Sequence, residues 1–303
     1  MTATGSFLDT AVRVTAPATS ANLGPGYDSF GLALTRQDSV TARVRSSGLH
    51  VRVTGAGSGA VALNEEHLVI RAMRAAFDAL GRQPAGLELT CENRIPHGRG
   101  LGSSAAAIVT GIELARGLVA GGRTALDDAA ALDLASQLEG HPDNVAACLL
   151  GGLSIAWTQA GHSSAARVAV QGVRPVLFIP DEQSTTSAAR AALPAAVPHA
   201  DAAFNASRSA LLVVALTGRP ALLWTATEDR LHQDYRAAGM PASAELVAAL
   251  RDAGIAAVIS GAGSSVLALA TSADQAATAA SLSPHGWECA QLDIAEGART
   301  EIR

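Results

Sequence analysis

The segment from Arg94 to Ala107 constrains the fold of this chain more than any other. It leaves an apolar-alternating stretch typical of a strand, passes Gly98, Gly100 and Gly102, and enters an Ala-rich stretch typical of a helix. Glycine lets a ligand approach the backbone closely, and the first N–H groups of a helix point outward at the positive end of its dipole. The segment therefore predicts a strand, a loop and a helix that together bind an anion such as phosphate.

The chain contains no lysine, since all 22 of its basic residues are arginine. A P-loop NTPase needs a lysine after its last glycine, a protein kinase needs one on a strand, and a Schiff-base enzyme needs one as nucleophile. These three classes are excluded. A phosphate on the glycine loop must therefore be held by backbone N–H groups, by hydroxyls and by a metal ion.

The composition indicates a globular protein with an aliphatic core. Of its 303 residues, 49% are hydrophobic but only 3% are aromatic, which leaves too few rings for stacking nucleic-acid bases. The net charge of −5 argues against a polyanionic partner such as DNA or a membrane surface. We see no signal peptide and no apolar run near the ~18 residues of a membrane span, so we expect a cytoplasmic protein.

Strand-like and helix-like stretches are mixed without regular alternation, which favours an α+β fold with two domains. The periodicity of apolar residues predicts elements that include the strands 11–15, 40–44, 50–53 and 87–91 and the helices 66–80, 103–117, 125–138 and 220–227. The Gly-, Ser- and Ala-rich stretch 161–167 is predicted to be a linker or a hairpin turn. We therefore expect an N-terminal domain over residues 1–165 and a C-terminal domain over residues 166–303.

Three Gly- and Ser-rich turns are spread along the chain, at residues 17–28, 96–106 and 261–265. The second, Pro-His-Gly-Arg-Gly-Leu-Gly-Ser-Ser-Ala-Ala, closely resembles the signature of the GHMP kinases, and the other two resemble the first and third motifs of that superfamily. The resemblance spans nearly the whole chain. It implies a ribosomal-S5-like N-terminal domain, a ferredoxin-like C-terminal domain and ATP in the cleft between them.

Within this superfamily, the segments Pro17–Asp28 and Glu139–Val145 resemble the homoserine kinases most strongly. Mevalonate kinases and galactokinases carry a basic residue where this chain has Thr19. They also carry a catalytic aspartate where this chain has Asn144, a departure that the homoserine kinases share. The resemblance therefore implies a reaction without a strong side-chain base, in which ATP and Mg²⁺ do most of the work on a hydroxyl held in line.

The resemblance also implies the residues that bind the nucleotide and the metal ion. The loop Gly98–Ser104 would hold the β- and γ-phosphates, and Gly261–Ser265 would line the cleft from the other domain. Glu139 and the Ser104 hydroxyl would hold Mg²⁺, a hard ion that prefers oxygen ligands. The implied nucleotide-binding set is Pro96, His97, Gly98, Arg99, Gly100, Leu101, Gly102, Ser103, Ser104, Ala105, Ala106, Gly261, Gly263 and Ser264.

The implied substrate is L-homoserine, phosphorylated on its hydroxyl for threonine synthesis. Asp28 suits the α-ammonium group because a carboxylate accepts charge-assisted hydrogen bonds, and the planar guanidinium groups of Arg190 and Arg236 suit the α-carboxylate. Further implied substrate contacts are Asn22, Thr186 and His141. The implied catalytic residues are Glu139, Ser104, Asn144 and His141.

Two alternatives remain open. A GHMP kinase with these motifs could act on another small hydroxy acid, such as threonine, shikimate or pantoate. The same scaffold could instead bind a nucleotide without catalysis, although Glu139, Ser104 and the whole glycine loop are present. His67 stands where homoserine kinases often have an asparagine near the adenine, which leaves the adenine contact open, and the resemblance allows a homodimer.

Overall fold

The computed structural model describes residues 5–303, and its mixture of two sheets with packed helices confirms the predicted α+β class. The strands are β1 (Val12–Ala21), β2 (Phe30–Arg45), β3 (Gly48–Gly55), β4 (Gly86–Asn93), β5 (Leu153–Gln159), β6 (His162–Val168), β7 (Arg174–Ile179), β8 (Ala256–Ile259), β9 (Val266–Ala270), β10 (Glu288–Gln291) and β11 (Arg299–Ile302).

The helices are α1 (Leu68–Ala79), α2 (Ser103–Leu118), α3 (Gly122–Ala125), α4 (Asp128–Glu139), α5 (Asp143–Leu150), α6 (Thr186–Ala191), α7 (His199–Gly218), α8 (Leu223–Ala226), α9 (Gln233–Arg236), α10 (Pro241–Asp252) and α11 (Ala273–Ser281). Short 3-10 turns lie at Pro220–Leu222 and Ala237–Gly239. Within residues 5–303, none of these helices has the length and apolar character needed to cross a bilayer.

The larger sheet has seven strands, with the order β11-β1-β2-β4-β3 and the hairpin β5–β6 attached to β2. All of its neighbouring strands are antiparallel except the parallel pair β3–β4. The helices α2 and α5 pack against β1 and β2, and α1 packs against α2. Because β4 belongs to this sheet and α2 packs over it, the glycine loop that joins them lies at the edge of the core between the sheet and its helices.

Helix α1 forms because Val69, Ile70, Met73 and Phe77 recur at helical spacing and are all buried. Helix α2 is buried on nearly every side, and its small residues let neighbours approach. A Cβ atom on Gly111 would lie 2.5 Å from the carbonyl oxygen of Val69, so this close helix contact requires glycine. The contact fixes α2, and with it the helix N-terminus that follows the glycine loop.

The smaller sheet has the antiparallel order β10-β7-β9-β8. Successive side chains along its strands point to opposite faces of the sheet, and each face packs in a different hydrophobic core. On β7, Leu177 packs in the large core shared with the first sheet and with α7 and α8, whereas Phe178 packs in a second core with α10 and α11. Both faces of this sheet are therefore covered by helices or by the first sheet.

Three features differ from the sequence predictions. The stretch 161–167 is not a linker, because β6 pairs along its length with β5, and the turn of the hairpin is at Ala160 and Gly161. The predicted helix 220–227 is split into a 3-10 turn and α8. The sequence analysis also missed β11, which pairs with β1 and returns the end of the chain to the first sheet. The domain limits 1–165 and 166–303 stay a prediction, and the proposed division falls inside β6.

Candidate active site

One cavity of about 440 Å³ lies between the glycine loop, the α4–α5 junction and loops that lead into and out of the smaller sheet. Most of the predicted site residues line it. They are Asn22, Asp28, His97, Gly98, Arg99, Gly100, Leu101, Gly102, Ser103, Ser104, Ala106, Glu139, His141, Asn144, Thr186, Arg190, Arg236 and Gly261.

The glycine loop joins β4 to α2 in a conformation that only glycine adopts without strain. Gly98, Gly100 and Gly102 have φ angles of 67°, 73° and 64°. A Cβ atom on Gly102 would lie 1.9 Å from the Thr19 hydroxyl oxygen, and one on Gly100 would lie 2.1 Å from the carbonyl oxygen of Ser260. The loop ends as the N-cap of α2, so the free N–H groups and the positive dipole end of a 16-residue helix face the cavity.

The second half of the chain holds this loop in place through its backbone. The Ser260 hydroxyl donates to the carbonyl oxygen of Gly100 at 2.7 Å, and the N–H of Ser265 donates to the carbonyl oxygen of Arg99 at 3.2 Å. The Arg99 guanidinium donates in turn to the carbonyl oxygens of Pro180 and Asp181 at 2.8 and 2.6 Å. These carbonyls are neutral partners, so Arg99 keeps its charge and adds it to the positive potential of the backbone N–H groups and of the N-terminus of α2.

A carboxylate and a hydroxyl lie together beside the helix N-terminus. The Ser104 hydroxyl, in the first turn of α2, donates to Glu139 at 2.5 Å, and Glu139 is the last residue of α4. Burial raises the pKa of Glu139, and the hydrogen bond from Ser104 opposes that rise. Two oxygen donors beside a phosphate site fit Mg²⁺, which usually combines one or two protein ligands with phosphate oxygens and waters.

A magnesium site beside bound phosphates does not require a larger cluster of protein ligands. Among residues 5–303, no group of three or more His, Cys, Asp or Glu side chains is arranged to hold a metal ion. Magnesium is seldom held by a cage made only of protein ligands, because it gives up its water shell reluctantly. The fit to Mg²⁺ therefore depends on Glu139 and Ser104, the two oxygen donors that would act as its protein ligands.

The two positions that depart from the mevalonate kinase pattern meet in space. The Thr19 hydroxyl, on β1, donates to the side-chain carbonyl of Asn144, in the first turn of α5, at 2.7 Å. Next to them, the His141 ring donates from Nδ1 to the carboxylate of Asp143 at 2.7 Å. That hydrogen bond raises the pKa of His141. A neutral Thr–Asn pair thus lies next to an imidazole held by a buried carboxylate.

An ion pair links the loop after β1 to α6. Arg190 donates to both carboxylate oxygens of Asp28, at 3.0 and 2.9 Å. Asp28 is presented by a backbone with φ of 54°, and its N–H donates to the side chain of Asn22 at 3.0 Å. Asn22 also donates to the carbonyl oxygen of Gly261 at 3.0 Å. Both polar ends of Asn22 are therefore used inside the protein, and its side chain positions Asp28.

Arg236 lies deeper, with only 3% of its surface exposed. It donates to the carbonyl oxygens of Ala189 and Gly261 and to the ring of His232. The second ring nitrogen of His232 donates to the carbonyl oxygen of Gly24 at 2.7 Å. This ring accepts on one side and donates on the other, so it is neutral, and burial lowers the pKa of His232. The His232 ring thus fixes a buried guanidinium at the cavity wall.

Four residues of the predicted nucleotide set do not line the cavity. Pro96 borders a separate shallow groove, Ala105 is buried in α2, and Gly263 packs against Met240. The Ser264 hydroxyl donates to the carbonyl oxygen of Glu182 at 2.9 Å. Of these, Gly263 and Ser264 belong to the turn before β9 whose next residue, Ser265, donates its N–H to the loop carbonyl of Arg99.

The sequence analysis missed several residues that shape the site. Ser260 and His232 act on loop backbones far away in sequence, and no local pattern marks them. Asp38, inside β2, also lines the cavity and had no motif to identify it. For His232, the one available signal was its place four residues before Arg236, one helical turn away.

Comparisons with known proteins agree with this geometry. The family model of the GHMP kinases N terminal domain matches residues 67–152, and that of the GHMP kinases C terminal domain matches residues 214–282. The homoserine kinase of Streptomyces coelicolor is 55% identical over 298 residues, which cover 98% of this chain and 96% of that protein. The chain belongs to the homoserine kinase family. The relative from Mycolicibacterium smegmatis is 48% identical and covers 93% of this chain and 92% of its own.

Solved structures of related proteins have the same architecture as this chain. The homoserine kinase of Cytophaga hutchinsonii superposes with a TM-score of 0.86 at 26% identity and covers 98% of both chains. A putative homoserine kinase from Listeria monocytogenes gives a TM-score of 0.76 at 28% identity, with 96% of this chain and 99% of that chain covered. The Leishmania major mevalonate kinase shares the fold, with a TM-score of 0.71 at 16% identity and 96% and 99% of the two chains covered. The predicted GHMP kinase fold is therefore confirmed.

We expect Gly102→Ala to abolish nucleotide binding with much less effect on folding. The added methyl group meets the Thr19 hydroxyl and displaces the start of α2, and misplacement of about 1 Å in such a site can cost roughly 100-fold. The matched control is Gly81→Ala, which has a similar φ of +72° but no atom within 4 Å of its Cβ. Calorimetric titration with an ATP analogue and thermal melts measure both effects; ATP-analogue affinity within twofold of the parent in the Gly102 variant would contradict the expectation.

Proposed function

We propose that this chain transfers the γ-phosphoryl group of ATP to the hydroxyl of L-homoserine and forms O-phospho-L-homoserine. The observation that carries the proposal is the bidentate Asp28–Arg190 pair on the wall of the cavity that holds the glycine loop. An α-amino acid carries an ammonium and a carboxylate on one carbon. It can therefore replace this pair, with its ammonium on Asp28 and its carboxylate on Arg190 and Arg236.

The glycine loop and α2 supply the phosphate half of the reaction. Backbone N–H groups of Gly98–Ser104 and the dipole of α2 stabilise the negative charge of the β- and γ-phosphates without any lysine. Glu139 and Ser104 would hold Mg²⁺, and the ion would supply positive charge against the charge that develops on the phosphate oxygens. These groups are fixed before the substrate arrives, so catalysis rests on positioning and on electrostatic stabilisation.

The α4–α5 junction supplies the acceptor half. Asn144 and His141 border the cavity between the phosphate loop and the Asp28–Arg190 pair, where the side chain of a bound amino acid would extend. The side-chain carbonyl of Asn144 accepts a hydrogen bond from Thr19 on β1, and its NH₂ group donates to Asp143 at the start of α5. These two contacts orient the amide group of Asn144. We assign to Asn144 and His141 the task of holding the substrate hydroxyl in line with the γ-phosphate, with no strong base in the Asn144 position.

The charge pattern separates homoserine from the alternative substrates. Shikimate and pantoate carry a carboxylate but no ammonium, so they would compete with Asp28 for Arg190 and would offer Asp28 no positive group in exchange. Threonine carries both charges, but its hydroxyl lies one carbon closer to them than that of homoserine. We place the reaction in threonine biosynthesis and keep a cytoplasmic location and a homodimer as expectations.

An ADP-release assay across several acceptors tests the proposal. We expect turnover with L-homoserine, at least roughly tenfold lower kcat/KM with L-threonine, and none above background with shikimate, pantoate, mevalonate or galactose. Turnover of mevalonate but not of homoserine would overturn the proposal. ATP binding without turnover of any of these alcohols would favour a non-catalytic nucleotide-binding protein.

We expect Arg190→Ala to raise the KM for homoserine by roughly 10- to 100-fold and to leave the KM for ATP nearly unchanged, because two charge-assisted hydrogen bonds to the carboxylate are lost. The matched control is Arg167→Ala, which removes a surface arginine whose 2.7 Å ion pair with Glu296 lies outside the cavity. Steady-state kinetics with each substrate varied in turn measures the effect. Equal KM values for homoserine in the two variants would show that Arg190 does not bind the substrate.

We expect Glu139→Gln to lower kcat by roughly 100-fold or more while ADP affinity measured without metal stays within a few-fold, because the carboxylate acts mainly on charge formed during transfer. The glutamine retains an oxygen that accepts from Ser104, so local structure is conserved. Glu245→Gln, on the exposed side of α10, serves as the control for loss of one carboxylate. A parallel loss of kcat and ADP affinity would show that Glu139 has a structural role.

A further inference from the structure

Asn205 is a buried polar residue that lies outside the cavity. It is on α7, has 2% of its surface exposed, and is not one of the residues that line the cavity. Both ends of its side chain are nevertheless used. Its NH₂ group donates to the carbonyl oxygen of Pro25 at 3.1 Å, and its own carbonyl oxygen accepts from the N–H of Arg230 at 2.9 Å. Asn205 therefore connects two segments that are far apart in sequence.

The first of these segments, the turn 22–28, presents Asp28 to the cavity. It has positive φ angles at three non-glycine residues, including 54° at Asp28. Such residues are strained and persist only where the surrounding structure holds them. Asn205 and Ser209, one helical turn apart on α7, both donate to the carbonyl oxygen of Pro25, at 3.1 and 2.7 Å. Helix α7 thus holds the turn in the conformation that presents Asp28.

The second segment carries Arg236 to the cavity wall. Its first turn is built around the buried carboxylate of Asp229, which accepts from N–H groups at the start of α9 at 3.1 and 2.8 Å. Arg230 is the next residue after Asp229, and its N–H donates to Asn205. Because Arg236 is the last residue of the short helix α9, the position of this turn determines where its guanidinium enters the cavity wall.

A second contact joins the same two segments. The His232 ring donates to the carbonyl oxygen of Gly24 at 2.7 Å and accepts from Arg236 at 3.2 Å. Gly24 is the neighbour of Pro25, so the two segments are linked at adjacent residues of the turn. Two such links leave little freedom for one segment to shift against the other. The separation of Asp28 and Arg236 is therefore set by contacts between the segments, with Asn205 at one of them.

We propose that Asn205 is a positioning residue of the amino-acid site, because it holds Asp28 at a set distance from Arg236. This inference rests on the proposed function and adds a residue outside the cavity that determines specificity for an α-amino acid. The ammonium and the carboxylate of an α-amino acid are on one carbon, so covalent geometry fixes their separation. A site that binds both groups needs a matching separation of its own, and misplacement of about 1 Å can cost roughly 100-fold. A ligand with only one of the two charges does not depend on that separation.

The first test replaces Asn205 with leucine, whose side chain branches at the same carbon and makes neither hydrogen bond. We expect Asn205→Leu to raise the Kd for L-homoserine in calorimetric titration by roughly tenfold or more, while the Kd for ADP stays within about threefold. Asn205→Ala, which adds no volume, should give the same result and serves if the leucine variant does not fold. An unchanged Kd for L-homoserine in either folded variant would overturn the inference.

The matched control is Leu212→Ala, two helical turns further along α7 on the same face. Leu212 is fully buried in the large core, so its truncation destabilises the protein without removing a hydrogen bond to either segment. We expect a lower melting temperature in this variant but a Kd for L-homoserine within about twofold of the parent. An equal rise of the Kd in the Leu212 and Asn205 variants would show that Asn205 only stabilises the fold, and would overturn the inference.

A second ligand, 4-hydroxybutyrate, distinguishes positioning from general damage to the site, because it is homoserine without the ammonium group. Under the inference, Asn205→Leu changes the Kd for 4-hydroxybutyrate by less than about threefold while the Kd for L-homoserine rises. A parallel loss of affinity for both ligands would overturn the inference. A parent protein that neither binds nor phosphorylates L-homoserine would overturn the proposed function and this inference with it. Normal binding by the parent with no change in the Asn205 variants would overturn this inference alone.

Discussion

The site depends on one steric constraint, the absence of a side chain at Gly102. Two elements meet in the space that a Cβ atom would need there, at the N-cap of α2: β1 through the Thr19 hydroxyl and α5 through the Asn144 carbonyl. Because the Thr19 hydroxyl bonds to Asn144 across this point, the phosphate loop and the acceptor side of the cavity are fixed to each other. Positioning for phosphoryl transfer is thus built into the packing of the first sheet.

The proposed site provides different kinds of group for the phosphates of the nucleotide and for the carboxylate of the amino acid. Under the proposed function, phosphate would be bound by backbone N–H groups and a helix dipole, with the charge of Arg99 nearby and its guanidinium held by backbone carbonyls of the second half of the chain. The carboxylate would be bound by arginine side chains, one of them buried and held by His232. Fixed dipoles need no reorganisation as charge moves between phosphate oxygens, whereas a guanidinium gives a planar, directional contact that identifies a carboxylate.

Much of the fold was predictable because its signals are local. The periodicity of α1 and α2 and the strand–loop–helix order around Gly98–Ser104 follow from residues that are neighbours in sequence. The strands β6 and β11 were missed or misread because their residues do not alternate clearly. They form because they pair with the backbone N–H and C=O groups along one edge of β5 and of β1. These edges exist only in the assembled sheet. The helix α9, a single turn, was missed because it depends on Asp229, whose carboxylate accepts N–H groups at its start.

The sequence by itself determined the superfamily, and it predicted the phosphate loop and the residue types at the proposed amino-acid end, because each of these is carried by a contiguous motif. It also determined that no lysine takes part. Only the tertiary structure decided that Thr19 meets Asn144, that Asn22 positions Asp28, and that the turn of Gly263 and Ser264 contacts the loop through Ser265. Only the tertiary structure brought Asp38 and His67 to the far end of the cavity. These contacts are between residues that are distant in sequence. They are stabilised by burial and by hydrogen bonds between buried groups, which form only when the chain packs.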